Sequence, residues 1–290
     1  MYGAQSEYEP LQKVVMHRPS REVDLVTEKN KSEFLFADTV SKEKMQKEHD
    51  AFVTFLQGEH VEVIDPGNTL CPNLVFTRDV ASVTKKGAVL MRPKYAARIF
   101  EPYYMEKCFN TMNIPVIKTT TGCCEGGDLV YLTEDSLMVG VGPRTDVGGL
   151  SELANLFLGT TIKTVISIPL PSWRVHLDGT LMILGKDIAV IHPDSLMFPA
   201  RILPDNELVD ITQYLKDDGF DLIEVTFKEM KQFGPNIFVV RPELAVSYSW
   251  NTRIINELKE RSFEIFELDG HELVKAGGGP HCMTCPVLRK

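Results

Sequence analysis

No apolar run in this chain approaches the roughly 20 residues needed to cross a bilayer. The first residues, Met1-Tyr2-Gly3-Ala4-Gln5-Ser6-Glu7, have neither the basic nor the apolar region of a secretory signal. No cluster of Lys and Arg is long enough to neutralise a phosphate backbone, and 40 Asp+Glu outnumber 31 Lys+Arg for a net charge of -9. Nucleic acid and anionic membrane are therefore poor partners, and the cytosol is the expected location. Low-complexity tracts and long linkers are also missing. With hydrophobic residues at 43% and charged residues at 24% of 290, disorder, collagen and a simple coiled coil are excluded. A chain of this length buries most of what its unfolded form exposes and needs no covalent staples.

Six cysteines are present, Cys71, Cys108, Cys123, Cys124, Cys282 and Cys285, without the spacing of a disulfide framework. Cys282-Met283-Thr284-Cys285 is a CxxC, which raises zinc and redox readings. A structural zinc needs four ligands, and no second CxxC, CxH or HxxxH completes the set. A thioredoxin-type motif needs a helix behind its first Cys, and Pro286 with so few residues following leaves no room for one. If Cys282 is reactive, another group activates it.

Short strands alternate with amphipathic helices. Leu11 to His17 reads as a strand, Lys42 to Gln57 as a helix and Val61 to Ile64 as a strand. Four similar units follow. Hairpin Val75–Val83/Ala88–Met91 precedes helix Ala96–Asn110 and strand Pro115–Lys118; hairpin Leu129–Leu132/Leu137–Val141 precedes helix Gly149–Leu158 and strand Ile162–Ile168. Hairpin Thr180–Leu184/Ile188–Ile191 precedes helix Asn206–Lys216 and strand Asp221–Val225; hairpin Asn236–Val240/Ala245–Tyr248 precedes helix Asn251–Arg261 and strand Phe263–Phe266. A ββαβ unit thus recurs at roughly 35 to 50 residues, a period typical of blades and solenoids. Pro286-Val287-Leu288 and the segment Leu11–Ile64 make a fifth unit from the two ends. The expected fold is α/β: one domain over residues 1–290, a five-bladed ββαβ propeller with pseudo-fivefold symmetry, closed by its N- and C-terminal segments so that no sheet edge is exposed. The alternative is a two-layer α/β or α+β domain without symmetry.

Four clusters place ionisable groups beside glycine or at a strand edge: Pro72–Asp79, Cys124-Glu125-Gly126-Gly127-Asp128, Trp173–Thr180 and Gly277-Gly278-Gly279-Pro280-His281-Cys282. Each has an ordinary explanation by itself: a turn aspartate, a solvated Gly-Gly turn, a core histidine, a frayed tail. In the proposed ring all four fall at equivalent places and face one cavity, the usual geometry of a nucleophilic site. A thiol, a histidine and several carboxylates without a metal-ligand pattern make a negative pocket suited to a cation. Two carboxylates can each accept a fork of N–H donors from a guanidinium, presenting its central carbon to sulfur.

The clusters, in this order, resemble those of the arginine deiminases, in the guanidine-modifying superfamily that also holds amidinotransferases, dimethylargininases, agmatine deiminases and arginine dihydrolases. The resemblance rests on Leu11–Pro19, Leu35-Phe36, Gln46–Phe52, Asn73–Asp79, Glu125–Asp128, His176–Asp178 and His281–Pro286, and so covers nearly the whole chain. It implies the five-bladed α/β propeller. It makes Cys282 the nucleophile and His176 the general acid and base. Asp79 and Asp178 grip the guanidinium, and Glu125 binds it and positions His176. Arg98 and Arg144 hold the α-carboxylate of free arginine, with Asn73 and Phe76 lining the pocket. It implies neither metal nor organic cofactor, and a small guanidine substrate as partner; a homo-oligomer is compatible with it.

Three features differ from the typical pattern. Only Asp65–Cys71 separates the strand ending at Ile64 from the Asn73–Asp79 motif, where typical arginine deiminases insert a helical domain. Lys275-Ala276 stands where an Arg is common, and Pro280 adds a residue before His281. The compact length is shared with arginine dihydrolases and dimethylargininases. The leading reading is conversion of L-arginine to citrulline and ammonia. A dihydrolase giving ornithine, a dimethylargininase, an amidinotransferase and a non-enzymatic arginine-binding protein are the alternatives.

Overall fold

Short apolar runs, buried on both faces where helices cover them, assemble into five separate mixed sheets in the computed structural model, which describes residues 1–290. Four sheets have three strands and one has five. In each, an antiparallel pair is joined by a parallel third strand.

The terminal sheet joins both chain ends. Leu11–Val15 runs antiparallel to Cys285–Arg289 and parallel to Glu62–Ile64. Between its first two strands in sequence lies the helix Lys42–Gly58, which turns Met45, His49, Phe52 and Leu56 inward at three- and four-residue spacing. The second sheet pairs Ala81–Thr84, Gly87–Leu90 and Val116–Lys118, with the helix Glu101–Thr111 in the crossover. The third is built on Leu129–Thr133, Ser136–Val141 and Thr164–Pro169, with the helix Val147–Phe157. The fourth uses Leu181–Ile183, Ile188–Ile191 and Asp221–Glu224; the fifth uses Phe238–Arg241, Leu244–Tyr248 and Glu264–Leu268, with the helix Thr252–Glu260. First strands of different sheets lie side by side, Cys285–Arg289 against Ala81–Thr84 and Leu129–Thr133 against Leu181–Ile183.

Several sequence expectations are corrected. The hairpin placed from Val75 begins at Ala81, because residues 72–80 form two 3-10 turns. The helix placed over Ala96–Asn110 is split into a 3-10 turn, Ala96–Arg98, and an α-helix, Glu101–Thr111; Pro102 has no N–H and fits the first turn of the second segment. The helix placed over Asn206–Lys216 starts only at Ile211, capped by Asp210, which accepts from Gln213 N at 3.0 Å. Ahead of it, Glu207–Val209 pairs with Ala200–Leu203 and extends the third sheet to five strands. Three residues are too few for period alone to separate strand from helix. A further short helix, Phe227–Lys231, is set by a capping box between Thr226 and Glu229. None of the five sheets closes on itself, so the expected removal of sheet edges is not achieved by hydrogen bonding.

The chain turns sharply just ahead of the first strand of each repeating unit and again ahead of Cys285–Arg289. Three of these turns are the 3-10 segments Thr77–Val80, Gly126–Asp128 and Leu177–Gly179. The other two are the loop before Phe238 and the turn through Cys282. These five turns carry the polar side chains described next.

Candidate active site

Cys282 is buried, with its Sγ 3.4 Å from Asp178 Oδ2. Its turn is held from the other side by backbone bonding: Arg78 N donates to Cys282 O at 3.1 Å, and Thr77 Oγ1 donates to Met283 O at 3.1 Å. Burial pushes the thiol well above its ordinary range, and the charges of Asp178 and Asp79 push it the same way. Asp178 is itself anchored by His281, whose Nδ1 lies 2.9 Å from Oδ2 while Nε2 reaches Glu7 Oε2 at 3.2 Å. Burial opposes ionisation of Asp178, but His281 and the charge of His176 outweigh it and hold the carboxyl below the usual range.

His176 stands between two carboxylates. Its Nε2 donates to Glu125 Oε2 at 2.8 Å, and its Nδ1 lies 3.6 Å from Asp79 Oδ1. Burial alone would lower the imidazole; the charge of Asp79 and the bond to Glu125 raise it to about 9. Close approach here depends on Gly127, where a Cβ would fall 2.6 Å from His176 Nδ1 and 2.8 Å from Asp79 Oδ1. At neutral pH the ring is an imidazolium able to give up a proton. A group raised on folding from 6.5 to about 9 adds stability that is complete below pH 6.5 and is lost as pH rises through 9. The size is on the order of 3 kcal/mol. Urea unfolding of native protein and H176N between pH 6.5 and 9.5 should show the native advantage shrinking with pH. His17, also raised to about 9, cancels in that difference. A constant difference across the range would contradict the assignment.

Glu125 is fully buried and receives four donors: His176, Arg144 Nη1 at 2.8 Å, Arg98 Nη1 at 3.5 Å and Lys94 N at 3.3 Å. Burial works against its charge, yet the His176 bond and the nearby cations keep the carboxyl far below its usual range. Asp128 anchors the neighbouring backbone instead, accepting from Thr145 Oγ1 at 2.6 Å and from Leu177 N at 3.0 Å. Burial is the main cause that pushes Asp128 up to about 7.

Arg98 is more deeply engaged than a residue waiting for a substrate carboxylate. Its Nη1 meets Asp79 Oδ2 at 2.5 Å, and its Nε and Nη2 grip Glu101 at 3.0 and 2.8 Å. Nη2 also points at the carbonyls of Asn73 and Phe76, both at 3.4 Å. Arg144 has Glu125 as carboxylate partner and lies over the ring of Tyr95, 4.6 Å from its centroid. Asn73 donates to Phe34 O at 2.8 Å, which ties the site to the loop through Leu35. Phe76 packs its ring against Gly278.

These side chains line one small cavity of about 30 Å³, walled by Leu35, Asn73, Phe76, Asp79, Arg98, Arg144, Val175, His176, Ala276–Gly278 and Cys282. Glu125 and Asp178 bond directly to residues of that wall. Two buried acceptors in it have no hydrogen-bond partner, Asp79 Oδ1, which faces His176 Nδ1 at 3.6 Å, and Asn73 Oδ1. Asp79, Glu125 and His176 also bring three ligand atoms within 4.8 Å of one another, a grouping the sequence did not suggest. Arg98 already bonds to both carboxylates and Arg144 to Glu125, which makes this first an ion-pair network.

Sequence reasoning assigned no role to Glu101, Asp128, Thr145, Asn236, His281 or Glu7. Glu101 had one available signal, its position three residues after Arg98 at the start of a helix. The pairing of Glu7 with His281 spans the chain and leaves no local mark.

A family model described as arginine deiminase matches residues 69–289. The chain belongs to the arginine deiminase family. It is an amidine-hydrolysing enzyme. Uncharacterized protein YkgA of Bacillus subtilis is 27% identical over 287 residues, covering 98% of this chain and 94% of YkgA. Arginine deiminase 1 of Staphylococcus epidermidis is 26% identical over 295 residues, covering 87% of this chain and 69% of that protein. Among solved structures, a mutant DDAH from Pseudomonas aeruginosa complexed with citrulline superposes with a TM-score of 0.77 at 18% identity, covering 96% of this chain and 99% of that one. The product-bound N-terminal domain of ArgZ, an arginine dihydrolase from the ornithine-ammonia cycle in Cyanobacteria, gives 0.78 at 19% identity, covering 97% and 98%. These structural likenesses establish the α/β fold. No helix of this arginine deiminase family member is long and apolar enough to cross a membrane.

Proposed function

We propose that the protein hydrolyses the guanidinium group of free L-arginine to citrulline and ammonia through a covalent amidino intermediate on Cys282. The observation that carries this reading is one cavity holding a buried thiol, an imidazolium and two unpartnered acceptors, Asp79 Oδ1 and Asn73 Oδ1. Unpaired buried acceptors are costly, and a guanidinium supplies the N–H donors they lack.

Asp79 and Asp178 bind opposite sides of the guanidinium, Glu125 adds charge from behind, and Arg144 holds the α-carboxylate, with Arg98 joining it only on release from Asp79 or Glu125; agmatine, lacking that carboxylate, would be repelled. Entry of the cation is balanced by loss of the thiol proton to solvent, since the same carboxylates that disfavour a thiolate alone tolerate it beside a positive charge. The Cys282 sulfur bonds to the guanidinium carbon, and His176 gives its proton to the departing nitrogen, which leaves as ammonia. Neutral His176 then takes a proton from water as its oxygen bonds to the same carbon, and the C–S bond breaks as the carbonyl forms, the remaining hydroxyl proton passing to the departing sulfur to free the ureido product and restore the Cys282 thiol. A cavity of about 30 Å³ admits little more than a water, so the wall of Leu35 and Ala276–Gly278 withdraws for substrate to enter.

Residues 1–290 act as one domain in this reading, with the five sheets arranged as propeller blades around the site and the terminal sheet closing the ring. Small guanidines are its partners, and a reducing cytosol suits its six free thiols. Acid quench during turnover of L-arginine, followed by peptide mass mapping, tests the chemistry. The expected result is Cys282 carrying the mass of arginine less ammonia; ammonia release with Cys282 never modified would refute the covalent route.

A further inference from the structure

Asn236 lies two residues ahead of the strand Phe238–Arg241, as Asp79 lies two ahead of Ala81–Thr84, so the fifth turn of the repeat also delivers a polar side chain to the site. It is 1% exposed. Its Oδ1 accepts from two backbone N–H groups, His281 at 3.1 Å and Cys282 at 3.3 Å. Its Nδ2 donates to Asp178 O at 3.3 Å and lies 3.2 Å from Cys282 Sγ. A flipped amide would set its NH2 against two N–H groups and its oxygen against a carbonyl, so the donor end is fixed toward sulfur. Gly279 makes room for this arrangement, because a Cβ there would fall 2.4 Å from Asn236 Oδ1.

We propose that Asn236 is a catalytic residue whose amide N–H stabilises the Cys282 thiolate; the inference rests on the reading of Cys282 as nucleophile. As a thiol, Cys282 has two acceptors at 3.4 Å, Asp178 Oδ2 and Asn236 Oδ1. As a thiolate it needs donors. Asn236 Nδ2, 3.2 Å from the sulfur, is the side-chain donor within reach. The amide is already oriented by the nucleophile's own loop, so no reorganisation is needed when charge develops on sulfur. It carries no charge, and so assists the thiolate without competing with the incoming cation for the carboxylates.

The test needs no substrate. Iodoacetamide alkylation of Cys282, followed by peptide mass mapping across pH, is compared in native protein, N236D and N236S. Asp keeps an acceptor for the loop and puts an oxygen opposite sulfur. Ser removes the donor without adding charge. Both should move the alkylation midpoint upward by about one unit or more, an approximately tenfold loss of rate at a fixed pH below the midpoint, with the larger shift in N236D. A merely structural role would lower the unfolding midpoint and leave the alkylation profile in place. Either variant, folded by near-UV circular dichroism and alkylated with the native profile, overturns the proposal. Should the native protein convert no guanidine at all, the functional reading fails separately, because the thiol titration is read without turnover.

Discussion

Replacing Cys282 with Ser is expected to lower L-arginine turnover by a factor on the order of 10⁴ or more while binding and fold persist. The hydroxyl is a far weaker nucleophile, and the surroundings that delay thiol ionisation, burial beside Asp178 and Asp79, would bar an alkoxide altogether. The change removes little volume, and the backbone N–H groups at positions 281 and 282 still donate to Asn236 Oδ1. Calorimetry with L-arginine should therefore detect binding by the variant and no ammonia. Turnover within tenfold of native would show that the sulfur is not the attacking atom.

Replacing Arg98 with Met should act mainly on stability, costing roughly 3–5 kcal/mol, the usual consequence of removing one partner from a buried ionic group. Three carboxylates, Asp79, Glu101 and Glu125, share this guanidinium. Glu101 is pushed up to about 7 by burial even with Arg98 in place. Without the cation, the deprotonated forms are destabilised further. A carboxyl whose folded-state pKa lies above its unfolded value loses stability as pH rises from one to the other. The deficit of R98M should thus be smaller at pH 5 than at pH 8 in urea titrations. R98K should recover only part of the loss, since an ammonium cannot make the forked contact with Glu101. A deficit under about 1 kcal/mol, or one independent of pH, would contradict the network.

The legible parts of the fold were those with a local signature. The hairpin through Glu134-Asp135 reads from two short apolar runs and a two-residue turn, and Leu11 to Val15 with Pro286 to Leu288 reads as what remains once four units are counted. The short pair Ala200–Leu203/Glu207–Val209 was not legible, because its identity as strand depends on an edge offered by Thr164–Pro169. In the site, ionisable residues beside glycines drew notice, and the structure does gather Asp79, Glu125, His176, Asp178 and Cys282. Asn236 escaped because a neutral amide after Pro235 resembles any turn residue; only the phase of the repeat marks it. Arg98 was read from the resemblance to arginine deiminases, but its bonds to Glu101, Asp79 and Glu125 depend on how the second and third units pack, which the motif does not encode.

The central claim, attack on the guanidinium carbon of free L-arginine, is tested most directly by product analysis with L-arginine, agmatine and a methylated arginine supplied separately. One ammonia and one citrulline per L-arginine consumed, with agmatine left intact, is the predicted result. L-arginine returned unchanged, with another guanidine hydrolysed or with none, would contradict the account.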